Sequence, residues 1–305
     1  MILCAGEALI DLLPAPGGGR RAVPGGSVFN TALGLGRLGH RAGFLWPLST
    51  DAHGRLLHGL LAAAGVDLSP CPVTERPTAT AEVTLTGAEA RYRFTLTGTT
   101  ATALTPENLP ALPATTQALF IGGISLALDP SGAAIEKLVA QTVAARRPVM
   151  LDANLRPAVI GDRAAFRPRL DRLMAQASII KLSSEDLAWL APDQPPRATA
   201  RVIAARGDAL VLHTDGARGA TLIRRRRVPL HQPAPSVPVV DTVGGGDSFD
   251  AGFLSGLQDS GALRDPVAAD DATLKEALWR GVQLAAFSVG RAGADPPWRA
   301  DLPWL

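Results

Sequence analysis

The chain has few of the residues that stabilise small secreted domains or bind polyanions. Its 305 residues include two cysteines, Cys4 and Cys71, which make neither a disulfide framework nor a structural zinc site. Lys and Arg number 30 against 28 Asp and Glu, and a net charge of +2 argues against nucleic acid as a partner. The four arginines at 224–227 lie between apolar segments, which is typical of an exposed hairpin tip.

Long apolar runs are absent as well. No stretch of about 18 uncharged apolar residues is available to cross a membrane, and residues 1–7 lack the features of a signal peptide. We therefore expect a cytoplasmic protein with no membrane partner. A hydrophobic content of 47% in a chain of this length predicts one large core, alone or with a small appended element.

The most informative stretch is residues 239–253, in which three consecutive glycines precede an acid. Phe249 and Phe253 follow at helical spacing, so a helix is predicted to begin at the glycines of residues 244–246. Glycine amides, together with the positive end of a helix dipole, favour an anion. Asp247 beside them is a candidate base, and this combination suggests phosphoryl transfer. The alternative is a plain turn in which Asp247 caps the helix.

Residues 241–249 resemble the second signature of the PfkB (ribokinase-like) carbohydrate kinases, D-T-x-G-A-G-D-x-F, with Gly245 where alanine is usual. The glycine pair and asparagine within residues 25–30 resemble the first signature, and residues 291–297 resemble the closing segment of bacterial fructokinases. The motifs follow the family's order over essentially the whole chain. The resemblance implies one α/β domain over residues 1–305, a ribokinase-like three-layer sandwich with a mainly parallel central sheet and a small β lid.

The sequence pattern agrees with that architecture. From residue 118 onward, apolar strands alternate with amphipathic helices, which predicts a mainly parallel sheet whose ligands gather at the carboxyl ends of the strands. Residues 78–86 and 91–96 instead alternate polar and apolar side chains, as a half-exposed antiparallel hairpin does. The resemblance makes segments 78–97 and 12–23 the lid, which would exclude water from the site.

The resemblance implies ATP as the phosphoryl donor, Mg²⁺ as a cofactor and, as an option, K⁺. Asp247 becomes the general base, and the amides of Gly244, Gly245 and Gly246 stabilise the transferring phosphoryl group. The residues implied for sugar binding are Asp11, Gly25, Gly26, Asn30, Arg93, Asn154 and Arg156. The residues implied for nucleotide binding are Lys181, Ser183, Thr214, Gly216, Gly219 and Gly246. The metal assignments are Asp186 for Mg²⁺, and Asp241, Val243, Ser288, Arg291 and Gly293 for K⁺.

Local alternatives to these assignments stay open. Asp11 is also consistent with a surface turn, Arg156 with a surface salt bridge, and residues 214–219 with an ordinary hairpin turn. Ser27 is a candidate N-cap for the helix that follows it. The usual magnesium segment N-x-x-E is replaced here by Ser183 and Asp186 at its ends, which weakens that assignment.

The proposed substrate is a neutral sugar phosphorylated on a primary hydroxyl, with fructose favoured by the closing segment. A 2-keto-3-deoxygluconate kinase would need an arginine for the substrate carboxylate, and residues 96–100 have none, although Arg91 and Arg93 are nearby. Ribose or a nucleoside remains an alternative substrate. The resemblance also allows a homodimer formed through the lid.

Two motifs partly match unrelated enzyme classes. The run Gly34-x-Gly36-x-x-Gly39 matches a dinucleotide fingerprint, but it lies inside a helix that begins near Ser27, so we interpret it as a packing surface with a cap at Gly39. Residues 123–127 partly match a serine hydrolase motif. Its final glycine is missing, and no histidine is placed as a base.

Overall fold

The computed structural model describes residues 1–15, 17–86 and 89–305. The strands are β1 (Ile2–Ala5), β2 (Leu9–Pro14), β3 (Arg20–Gly25), β4 (Ala42–Leu45), β5 (Leu48–Ser49), β6 (Val73–Thr74), β7 (Thr80–Thr86), β8 (Glu89–Thr95), β9 (Ala118–Gly122), β10 (Val149–Asp152), β11 (Ile179–Ser183), β12 (Leu210–Thr214), β13 (Ala220–Ile223) and β14 (Leu230–Gln232). The α-helices are α1 (Ser27–Arg37), α2 (Ala52–Ala63), α3 (Ser131–Ala144), α4 (Pro157–Ile160), α5 (Arg163–Gln176), α6 (Ser184–Leu190), α7 (Pro196–Ala205), α8 (Gly245–Asp259) and α9 (Asp271–Val289).

The central sheet has eight strands in the order β14-β13-β12-β11-β10-β9-β1-β4. The six strands from β12 to β4 are parallel, and β13 and β14 are antiparallel additions at one edge. Strands β1, β4, β9 and β10 are buried along their whole length, as expected for parallel strands covered by helices on both faces. The predicted mainly parallel sheet of a ribokinase-like α/β fold is confirmed.

Helix α8 is held by close helix packing. Gly252 and Gly256 let its backbone approach α9, where a Cβ on Gly252 would lie 2.7 Å from the carbonyl oxygen of Arg280. On another side, Gly34 of α1 faces Ala251. Close packing of this kind resists displacement, so the first turn of α8 has a fixed position.

The glycine run of α1 is not a dinucleotide-binding turn. Gly34 and Gly36 are buried within the helix, and Gly39 ends it with a φ of 83°. The amides of Gly39 and His40 donate to the carbonyls of Gly36 and Leu35, which is a Schellman cap. The expected N-cap at Ser27 was wrong by one residue. Gly26 takes that position with a φ of 108°, which glycine adopts readily.

A second sheet of four strands, in the order β3-β2-β7-β8, contains most of segments 12–23 and 78–97. It packs over a small apolar cluster that includes Leu9, Ala81 and Ile124, with Phe94 against it. The tip of the β7–β8 hairpin, residues 87–88, lies outside the described residues, as do Pro16 and the side chain of Arg91. Within the described ranges, no helix has both the length and the apolar composition of a membrane span.

Candidate active site

A cavity of about 370 Å³ lies between the small sheet and the carboxyl ends of the central strands. The cavity is lined by Glu7, Leu9, Asp11, Gly26, Ser27, Asn30, Phe94, Gly123, Ile124, Asn154, Arg156, Lys181, Thr242, Val243, Gly244, Gly246 and Asp247. Residues from both signature-like segments therefore meet in one space, although more than 200 positions separate Asn30 from Asp247 along the chain.

The first turn of α8 forms one wall. Gly244 stands at the N-cap in the left-handed conformation, with a φ of 77°, and Gly245 is the first helical residue. Asp247 is therefore inside the first turn, and the interpretation of Asp247 as an N-cap was wrong. Its side chain is directed into the cavity, where the amide nitrogen of Asn30 donates to Oδ2 at 2.7 Å.

Asp247 has the electrostatic setting of a base. Burial raises the pKa of the Asp247 carboxyl, while the hydrogen bond from Asn30 and the charge of Lys181 lower it. These opposing effects suit a group that must be ionised before reaction and still able to take a proton. The glycine amides and the dipole of α8 favour negative charge in the same place.

Asp11 lies within β2, so the surface-turn interpretation was wrong. Burial raises the pKa of its carboxyl to about 6, and the nearby guanidinium of Arg156 opposes that rise. Arg156 donates to the carbonyl oxygens of Asn154 and Leu155, and none of the described carboxylates forms an ion pair with it. Asn154 has a φ of 37°, and such strain in a non-glycine residue is frequent at functional sites.

Glu7 was missed by the sequence analysis. Its two carboxylate oxygens accept the amides of Ser27 and Ser125, at 3.2 and 3.1 Å, and so tie the start of α1 to the turn after β9. Burial raises the pKa of Glu7 to about 7. The available signal is that Glu7 directly follows the first apolar strand, five residues after Ile2, where a carboxylate reaches the carboxyl end of the sheet.

Two buried polar atoms that line the cavity have no hydrogen-bond partner among the described residues. They are the hydroxyl oxygen of Ser27 and Oδ1 of Asn30. Buried polar atoms are nearly always hydrogen-bonded, so unsatisfied ones in a cavity indicate a polar ligand.

The residues assigned to the nucleotide do not all line this cavity. Lys181 does, and its Nζ lies 2.9 Å from Oδ2 of Asp152. Ser183 and Thr214 are neighbours at the carboxyl ends of β11 and β12 but lie outside the lining. Residues 216–219 form a turn between β12 and β13, a geometry that both the nucleotide-binding and the plain-turn interpretations predict.

The magnesium assignment to Asp186 does not fit the structure. Oδ2 of Asp186 accepts the amide of Ser183, and Oδ1 accepts the amide of Leu155, both at 2.8 Å. The Ser183 hydroxyl in turn accepts the amide of Asp186, which completes a capping box at the start of α6. Both carboxylate oxygens thus accept backbone amides, and Asp186 does not line the cavity, so its contacts are those of a capping residue.

The five residues assigned to potassium do meet. Asp241 accepts the amide of Val243 on one carboxylate oxygen and the amide of Gly293 on the other, at 3.0 and 2.9 Å. The amide of Arg291 donates to the carbonyl of Ser288 at 3.0 Å, which forms the adjacent turn. Two backbone segments with several carbonyl groups are therefore held together beside the glycine loop.

Two residues assigned to the sugar lie outside the cavity lining. Arg93 is directed to solvent, with 83% of its side chain exposed, and it pairs with Glu82 at 3.1 Å. This position does not support the assignment of Arg93 to the sugar. Gly25 ends β3, where a side chain would collide with the carboxylate of Asp11. Its role in the structure is to leave room for that carboxylate.

Comparisons with known proteins identify the family and support the fold. A family model described as pfkB family carbohydrate kinase matches residues 1–301. A fructokinase from Rhizobium leguminosarum bv. trifolii is 41% identical over 263 residues, which cover 85% of this chain and 80% of that relative. A structure of fructokinase with bound ATP from Xylella fastidiosa has a TM-score of 0.86 at 28% identity, covering 97% of this chain and 95% of that one.

A second solved structure extends the comparison to another substrate. Aminoimidazole riboside kinase from Salmonella enterica, complexed with aminoimidazole riboside and an ATP analog, has a TM-score of 0.83 at 27% identity. The match covers 99% of this chain and 96% of that one. The fold is therefore that of a ribokinase-like carbohydrate kinase. The chain belongs to the pfkB family of carbohydrate kinases, and within it the chain is fructokinase-like.

The glycine loop yields a testable pair of substitutions. Gly244→Ala places a side chain at a φ of 77° and brings its Cβ within 2.8 Å of the Ala294 backbone. We expect a loss of about 1–2 kcal/mol of stability from the conformation alone, and reduced turnover because the loop shifts. Denaturant unfolding and steady-state kinetics measure both effects.

The matched control is Gly245→Ala. Gly245 has ordinary helical geometry, and the added methyl group would meet only the side chain of Val289. It should be far better tolerated than Gly244→Ala. Equal effects from the two substitutions would contradict a special conformational requirement at Gly244.

Proposed function

We propose that this protein transfers the γ-phosphoryl group of ATP to a primary hydroxyl of a neutral sugar, with fructose as the preferred substrate. The observation that carries the proposal is the buried Asp247 carboxylate, which lies in the first turn of α8 and lines the same cavity as Asp11 and Asn30. Membership of the carbohydrate kinase family and the similarity to a fructokinase support it.

In the proposed reaction, Asp247 takes the proton of the sugar hydroxyl as its oxygen attacks the γ-phosphorus. The bond between that phosphorus and the bridging oxygen of ATP breaks, and ADP leaves with the bonding electrons. The amides of residues 244–246, the α8 dipole and the Lys181 ammonium stabilise the negative charge on the transferring group. The sugar phosphate retains the hydroxyl oxygen.

Sugar recognition is assigned to the polar groups opposite the glycine loop. The Asp11 carboxylate offers two oxygens to adjacent hydroxyls, and the unpartnered atoms of Ser27 and Asn30 complete the polar surface. Asn154 and Arg156 line the same cavity. 2-Keto-3-deoxygluconate stays an alternative substrate because the Arg156 guanidinium could bind its carboxylate. The structural similarity to aminoimidazole riboside kinase keeps a nucleoside open.

The metal requirements follow from which groups are available. Mg²⁺ would be bound by ATP phosphate oxygens and water, since Asp186 is committed to backbone amides. A K⁺ ion would be held by carbonyl oxygens of the segments around Asp241 and Gly293, beside the anion loop. Such an ion would supply positive charge near the phosphates.

Location and assembly complete the proposal. We assign the protein to the cytoplasm and expect a homodimer through the small sheet. Strands β3 and β8 form the edges of that sheet, and an unpaired strand edge is a surface on which a second copy can add strands. Light scattering of the purified protein tests this, and a monomer at micromolar concentration would contradict the dimer.

The substrate is tested by an ATP-consumption screen with fructose, ribose, 2-keto-3-deoxygluconate and nucleosides, each with Mg²⁺ and with or without K⁺. We expect fructose to give the highest kcat/KM. A higher kcat/KM with 2-keto-3-deoxygluconate would identify that sugar acid as the substrate and assign its carboxylate to Arg156. No sugar-dependent ATP consumption would contradict the kinase assignment.

Asp11 provides a test with a pH signature. A pKa raised to about 6 means that its carboxyl gains a proton as the pH falls through 6, and a neutral carboxyl accepts hydroxyl hydrogen bonds less strongly. The KM for fructose should rise below pH 6. Asp11→Asn should raise KM by roughly 10- to 100-fold at pH 7.5 and remove this dependence, and Asp11→Ala should weaken affinity at least as much.

Measuring KM and kcat separately distinguishes Asp11 from Asp247. Loss of a binding contact changes KM, while loss of the base changes kcat. An Asp11→Asn enzyme with unchanged KM would remove Asp11 from the sugar site.

A further inference from the structure

A buried ionisable group that the proposed reaction does not use lies behind the glycine loop. Asp250 is on α8, one turn after Asp247, and is fully buried with neither carboxylate oxygen accepting a hydrogen bond from any described donor. It does not line the cavity. An ionised carboxylate without partners in such a place is very costly.

The neighbours of Asp250 explain how it is accommodated. Lys181 of β11 makes an ion pair with Oδ2 of Asp152 of β10, at 2.9 Å, which leaves Oδ1 of Asp152 without a donor. The Asp250 carboxyl interacts with the Asp152 carboxyl, and the oxygens left without a donor are Oδ1 of Asp152 and both oxygens of Asp250. Two carboxyl groups can form a hydrogen bond when one of them carries a proton. Such a bond would give Oδ1 of Asp152 a donor and the Asp250 carboxyl an acceptor.

The charged and titratable neighbours of Asp250 act in opposite directions, and the net effect favours its protonated form. Burial raises the pKa of Asp250 well above its usual value. The Lys181 ammonium opposes that rise, whereas the Asp152 and Asp247 carboxylates add to it. Cys4 of β1 also faces the group, and burial raises the pKa of its thiol, so it remains neutral. Asp152 is the carboxylate in contact with Lys181, which leaves Asp250 as the protonated partner.

We propose that Asp250 is a positioning residue whose protonated carboxyl donates to Asp152 and thereby fixes the Lys181 ammonium beneath the glycine loop. The ammonium lies close under that loop, since a Cβ built on Gly246 would be 2.9 Å from Nζ of Lys181. With one proton on Asp250, the charges of Asp152 and Lys181 balance. Ionised Asp250 would instead place a net negative charge under the site that receives phosphate.

The protonation state is tested by comparing the unfolding of Asp250→Asn with that of wild type. Asp250 binds a proton in the folded chain and releases it on unfolding, so wild-type stability falls as the pH rises above the unfolded pKa of about 4. Asn cannot ionise, so the stability of the Asp250→Asn variant does not fall with pH for this reason. From pH 5.5 to 7.5, the ratio of wild-type to Asp250→Asn unfolding constants should grow by about tenfold per pH unit.

The control is Asp193→Asn, an exposed position where the same ratio should stay constant with pH. Urea unfolding followed by circular dichroism at three pH values measures both variants. A constant ratio for Asp250→Asn would overturn the proposal, since it would mean that folded Asp250 is already ionised. The unfolding measurement needs no substrate, so its result does not depend on whether the protein phosphorylates fructose.

The positioning role rests on the proposed kinase function and is tested by kinetics. Asp250→Ala removes the donor to Asp152 and should raise the KM for ATP or lower kcat by roughly tenfold. Asp250→Asn keeps an N–H donor of similar size and should recover activity to within about threefold of wild type. If Asn were as damaging as Ala, the requirement would be for a carboxyl charge and the proposal would be overturned. Wild-type protein that phosphorylates no sugar would contradict the kinase function while leaving the unfolding result intact.

Discussion

Asp247→Asn should lower kcat by about 10²–10⁴ while leaving KM for the sugar nearly unchanged. The amide keeps the size and shape of the side chain but has no basic oxygen to take the hydroxyl proton. The hydrogen bond from Asn30 and the burial of the carboxyl show that residue 247 is held in the cavity, so a neutral replacement should not displace it far.

Folding of the Asp247→Asn variant should be intact. Burial raises the pKa of Asp247, which means that the folded chain bears a cost for its charge at neutral pH, and the amide removes that cost. Unfolding measured in urea should therefore show equal or greater stability. Turnover close to wild type would refute the role of Asp247 as the base, and a large loss of stability would show that the kinetic effect is structural.

The second large effect is expected for Lys181→Met. Burial alone lowers the pKa of Lys181, but the surrounding carboxylates, Asp152 first, raise it overall, so the ammonium is retained. Its removal leaves the Asp152 carboxylate buried without a counter-ion. Breaking a buried ion pair from one side costs about 3–5 kcal/mol, and we expect a loss of stability in that range.

A double substitution is the control for Lys181→Met. Lys181→Met with Asp152→Asn removes the uncompensated charge and keeps an acceptor for Asp250, so it should restore most of the lost stability. Turnover should remain low in both variants because the cation under the glycine loop is missing. A Lys181→Met enzyme with the wild-type urea midpoint would show that the ion pair contributes little.

The sequence predicted the site best where a motif and a hydrophobic pattern supported each other. The start of the helix at the glycines of residues 244–246, the alternation of strands and helices from residue 118 onward, and the placement of Asp11 and Asn30 with Asp247 all followed from patterns in the chain or from the family resemblance. These features depend on local backbone chemistry, since glycine loops, helix starts and strand ends are specified by neighbouring residues.

The errors have an equally local cause. Asp186 was assigned to magnesium, although Ser183 three residues before it forms the capping pattern S-x-x-D that the structure contains. Arg93 was assigned to the sugar because it lies in the lid segment, close to residues 96–100, where related kinases have a substrate-binding arginine. In a strand, however, successive side chains face opposite sides, and the register of β8 turns this one to solvent.

The sequence by itself determined the α/β class and the anion-favouring glycine loop, and it pointed to Asp247 as the candidate base, because spacing and residue type encode backbone conformation and proton affinity. Only the tertiary structure decided that Asp250 is buried against Asp152 and Lys181 and that Glu7 ties two loops together. Contacts between distant segments set burial, and burial decides whether a carboxyl is a solvated charge, a ligand or a proton carrier.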